Sequence, residues 1–64
     1  MANSTTLYII DLLIKQLPQE DQTHYGIVDA KLKRNGIHVK QETVEKEMAY
    51  IARQNARPAA EQQL

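Results

Sequence analysis

Cysteine, tryptophan and phenylalanine are absent from these 64 residues, and glycine, proline and methionine occur only twice each. Without cysteine there is no disulfide, no thiol chemistry and no cysteine-based zinc site. The two histidines, His24 and His38, do not fall in HxxH or HExxH spacing, so neither a metal staple nor any cofactor is expected. No apolar run approaches about 18 residues, which predicts no membrane-spanning helix and no membrane partner. Met1-Ala2-Asn3-Ser4 offers neither a basic stretch nor a cleavable apolar one, so no signal peptide is read. A cytoplasmic protein of bacterial or phage type is the expectation. Net charge is missing too, since eight Lys and Arg balance eight Asp and Glu.

What remains is ordinary globular material, 42% hydrophobic and 25% charged. A chain this short buries only about 60% of its unfolded surface, so one domain with a thin core is expected. The reading is a single trihelical domain over residues 1–57 and a C-terminal tail over 58–64. The fold class is all-α, with helices near residues 4–17, 23–35 and 41–55.

The first helix is capped by one of Asn3, Ser4, Thr5 or Thr6 and ends before Pro18. Leu7, Ile9, Ile10, Leu13, Ile14 and Leu17 cover one broad face. Tyr8 and Leu12 lie four residues apart on the far side. They read either as scattered exposed apolar residues or as a self-association surface, the second giving a homodimer. Pro18 to Gln22 reads as a polar loop. Asp21 or Thr23 then caps a second helix carrying Tyr25, Val28 and Leu32 on one face, with Gly26 weakening its first turn. Asn35-Gly36 is a strong stop, because glycine enters the left-handed conformation without steric penalty. Ile37 and Val39 read as plugs for the core. Val44, Met48, Ile51 and Asn55 form the inward stripe of the third helix, for which Lys40 would be a poor N-cap.

Charge is unevenly spread. Residues 1–30 balance to −3, and residues 31–64 to +3. Lys31, Lys33, Arg34 and Lys40 form the densest basic stretch, with no acid among them. That asymmetry points either to an anionic partner or to cations favouring a helix C-terminus.

Gly36-Ile37-His38-Val39-Lys40-Gln41-Glu42-Thr43-Val44 resembles the segment G-I-x-V-T-Q-A-T-V of the arginine repressor N-terminal domain. Val28, Leu32, Met48 and Ile51 match that family's apolar spacing, so the resemblance covers about residues 27–51. It implies a helix-turn-helix unit whose third helix enters the major groove of double-stranded DNA. Where the family has Ser-Arg after Thr-Val, this chain has Glu45 and Lys46. The family's threonine cap is Lys40 here, and nothing after Asn55 alternates as a β-hairpin wing would.

On this reading Gln41, Thr43, Glu45 and Lys46 contact base edges, while Lys31, Lys33, Arg34 and Lys40 hold phosphates. The competing reading is a protein-interaction module, an anti-repressor or small co-regulator. It would offer Glu42, Glu45 and Glu47 to a basic protein partner. An enzyme is not expected, because no phosphate loop, nucleophile elbow or metal set occurs and no residue reads as catalytic.

Overall fold

The computed structural model describes residues 3–56. Met1, Ala2 and the expected tail over 58–64 lie outside the described residues. Three α-helices make up the fold: α1 (Ser4–Lys15), α2 (Tyr25–Arg34) and α3 (Gln41–Ala56), with a 3₁₀ turn over Gln19–Thr23. No strand occurs among the described residues. The architecture is therefore the all-α, three-helix one expected, and each helix begins or ends within a few residues of its sequence-derived limits.

Asn3 supplies the N-cap of α1, its Oδ1 accepting from the Thr6 amide at 2.8 Å. A side-chain cap of this kind stabilises a helix by about 1 kcal/mol. At the other end the Gln16 amide reaches both Leu12 and Leu13 carbonyls, and Leu17 bonds to Ile14, tightening the last turn before Pro18.

The segment expected as a loop is instead wound into the 3₁₀ turn. Asp21 N donates to the Pro18 carbonyl at 2.9 Å and His24 N to that of Asp21 at 3.1 Å. Gln22 Nε2 donates to the Leu17 carbonyl, and Thr23 Oγ1 to that of Glu20. The Thr23 hydroxyl, one of the two groups expected to cap α2, is used in this turn. Neither Asp21 nor Thr23 caps that helix; His24 holds the cap position without a side-chain bond.

The exit of α2 follows the glycine rule closely. Gly36 has φ 77°, its amide bonds to the Lys33 carbonyl, and the Ile37 amide bonds to that of Leu32. This is the paired bonding of a Schellman stop, and it folds Ile37 back onto the core. Gly26 differs in backbone and not in space: a methyl group would meet nothing within 4 Å at either glycine, but only Gly36 has a positive φ. Gly26→Ala is accordingly expected to raise stability by up to about 1 kcal/mol, whereas Gly36→Ala lowers it by about 1–2 kcal/mol. Thermal melts should separate the two in opposite directions, by about 4–8 °C for each 1 kcal/mol.

Ile10, Leu13 and Ile14 of α1, Val28 and Leu32 of α2, and Val44 and Ile51 of α3 make the core. Leu17, Tyr25, Ile37, Val39 and Met48 pack around them, as their spacing anticipates. The apolar arc of α1 is narrower than its composition implies. Leu7 and Ile9 remain 36% and 37% exposed, because two neighbouring helices cannot cover so wide a face. The stripe of α3 ends on a polar contact, Asn55 Nδ2 donating to Gln22 Oε1 at 3.3 Å.

Candidate nucleic-acid interface

The last turn of α2 carries Lys31, Lys33 and Arg34, where cations favour the helix dipole. They are not equivalent. Lys33 Nζ sits 2.9 Å from Asp29 on the same helix. Its hydrogen bond to Asp29, and then their attraction, hold the ammonium above its ordinary pKa. Partial burial and then the Asp29 charge push the nearby Tyr25 phenol upward as well. Lys31, Arg34 and Lys40 have no acidic partner among the described residues.

Lys40 begins α3. Its carbonyl accepts from the amides of Thr43 at 3.0 Å and Val44 at 3.2 Å, which makes it the N-cap residue. Lysine has no side-chain acceptor, so it cannot satisfy the first-turn amides of Gln41 and Glu42. That end of α3 stays electropositive apart from the Glu42 carboxylate.

The four residues expected to read bases do not form one surface. Gln41 Nε2 donates to Glu45 Oε2 at 3.4 Å, joining these two on one flank of the helix. Lys46 lies about 100° further round and pairs with Glu42 at 3.6 Å, both side chains being well exposed. Thr43 is half-buried on the opposite flank. There it lines an open groove of about 780 Å³ with Asn3 and Thr6 of α1, the connection Gly36 to Lys40, and Glu42. Gln41, Glu45 and Lys46 are thus exposed on the outside of α3, engaged only with neighbours on the same helix, while Thr43 opens toward α1.

Two features of this region were not readable from residue spacing. The groove forms because the start of α1 meets the α2–α3 connection, a tertiary contact without a local sequence signal. The three acids of α3 also separate in space. Glu42 and Glu45 engage Lys46 and Gln41, whereas Glu47 turns inward to Asp11 of α1. The only trace in the sequence was the distance of Glu47 round the helix from the other two.

No group of three or more His, Cys, Asp or Glu side chains able to hold a metal occurs among the described residues. No helix among them is long and apolar enough to cross a membrane. Comparisons with protein-family models, with curated proteins and with solved structures find no match to this chain.

Proposed function

We propose that this chain is a small, non-enzymatic DNA-binding regulator of transcription, with α3 as the reading helix. One observation carries the reading. Three cations without acidic partners among the described residues, Lys31, Arg34 and Lys40, bracket the short connection that leads into the exposed first turns of α3. Phosphates draw most of their binding energy from such unpaired cations. The connection also carries the residues that resemble the arginine repressor segment. On this reading the exposed Gln41 and Lys46 contact base edges, and Glu45 accepts from a cytosine amino group. Thr43, turned toward the groove, fits a backbone or sugar contact better than a base.

The alternative, an acidic α3 that binds a basic protein, is less well served. It needs Glu42, Glu45 and Glu47 on one surface, and Glu47 lies on the α1 side. A fluorescence-anisotropy titration of random-sequence duplex at low salt tests the choice. Saturable binding that weakens steeply with added salt supports DNA recognition, and no binding at all removes it.

A lone domain of this size binds DNA weakly, so pairing through α1 belongs to the same proposal. Tyr8 and Leu12 remain 63% and 44% exposed and contribute nothing to the core. Sedimentation at tens of micromolar, a range suited to micromolar affinity of about −8 kcal/mol, is expected to show a dimer. The Tyr8→Ala, Leu12→Ala double variant should run as monomer. A monomeric parent, or a dimer indifferent to both changes, rejects this arrangement.

A further inference from the structure

Asp11 lies on the α3 side of α1, with its side chain only 19% exposed. Its Oδ2 is 3.0 Å from Lys15 Nζ, one turn later on the same helix. Its Oδ1 is buried and has no hydrogen-bond partner among the described residues. A buried carboxylate oxygen left in that state is destabilising unless a donor reaches it. The group facing it from α3 is Glu47, itself half-buried and another acceptor while ionised. Two carboxylates in one partly dry contact repel each other, but one proton between them turns the contact into a hydrogen bond.

We infer that Asp11 and Glu47 form a proton-dependent clasp between α1 and α3. A proton taken from solvent by Glu47 lets its hydroxyl donate to the unpartnered Asp11 Oδ1. The clasp is closed in mild acid and open at neutral pH. It fixes how firmly α3 seats on α1, and it stands independently of what α3 binds.

The surroundings of Glu47 are simple enough to make the sign clear. From α1 it meets Asp11 and Lys15, and no charged group of α2 or the 3₁₀ turn acts on it. On α3 its neighbours three and four residues away are Thr43, Val44, Tyr50 and Ile51, none of them a carboxylate or a cation. Burial, then the Asp11 charge and the hydrogen bond Asp11 can accept once Glu47 is protonated, push the Glu47 carboxyl above its ordinary 4.5, while Lys15 opposes them. A carboxyl raised in the folded state adds stability below its unfolded value and loses it as pH rises through the folded one. The window therefore opens just above pH 4.5 and extends upward.

Glu47→Gln places a permanent amide donor where the protonated acid would be. At pH 7.5 the variant is expected to melt roughly 4 °C or more above the parent. That gap should close as the pH falls toward 4.5 and the parent's own Glu47 takes up its proton. A gap that stays constant with pH, or a variant less stable than the parent at pH 7.5, overturns the clasp. Carbon-13 titration of the side-chain carboxyls in the parent chain gives a second reading that needs no variant. Glu47 is expected to titrate above its ordinary 4.5, and to fall back toward it in Asp11→Asn. Titration of Glu47 at or below 4.5 contradicts the proposal.

Discussion

Ile51→Ala is expected to abolish cooperative thermal unfolding, leaving a chain with little helical signal at 37 °C. Ile51 is fully buried where α3 meets the rest of the core, and among the described residues seven side chains make up that buried centre. None of them is aromatic. Truncating a buried isoleucine costs about 2–5 kcal/mol, because the lost transfer energy is joined by the energy of the cavity left behind. A core in a domain this small supplies about 3–5 kcal/mol in total, so one such change consumes most of the margin. Ile9→Ala makes the same chemical deletion at a half-exposed site on α1, and it should melt within a few degrees of the parent. Circular dichroism of the two variants side by side checks the assignment of the core. Equal losses would mean that α1 buries a wider face than described above.

The second large effect concerns binding. Arg34→Ala with Lys40→Ala should weaken association with every duplex alike and lower the dependence of log K on log salt by just under two. Lys33→Ala should change little, since Asp29 already holds its ammonium. Lys46→Ala should act differently from both. It is expected to weaken the preferred sequence by about tenfold to a hundredfold and to relax preference at one position. Glu45→Ser should strengthen nonspecific binding, because it removes a carboxylate that phosphates repel. Salt-titrated anisotropy on one preferred and one scrambled duplex measures all four. If binding responds equally little to Arg34, Lys40 and Lys46, α3 is not the reading helix.

Much of the scaffold was readable because it depends on local rules. Gly36 as a left-handed stop and the Val44-Met48-Ile51 stripe each follow from one residue type at one spacing, and the cap of α1 falls on Asn3, one of the four residues that could hold it. The region between α1 and α2 was misread for a physical reason. The 3₁₀ turn over Gln19–Thr23 buries no side chain, so it leaves no apolar period to detect, and its bonds run from polar side chains back to nearby carbonyls. Those same bonds decide that His24 and not Thr23 precedes α2. At the candidate interface the basic residues could be named from sequence, but their availability could not. Lys33 and Asp29 are one helical turn apart, a pairing that spacing permits without requiring. The separation of Glu47 from Glu42 and Glu45 depends on where α1 packs, which no local pattern encodes.

The most direct test of the central claim is an amide NMR titration of the labelled full chain with a short random-sequence duplex at low salt. Binding through α3 predicts shift changes concentrated at Lys31, Arg34 and Lys40 through Lys46, with the buried face at Val44 following and Tyr8 and Leu12 unmoved. Shifts centred on Tyr8 and Leu12 instead, or no shifts at a duplex excess, would contradict it.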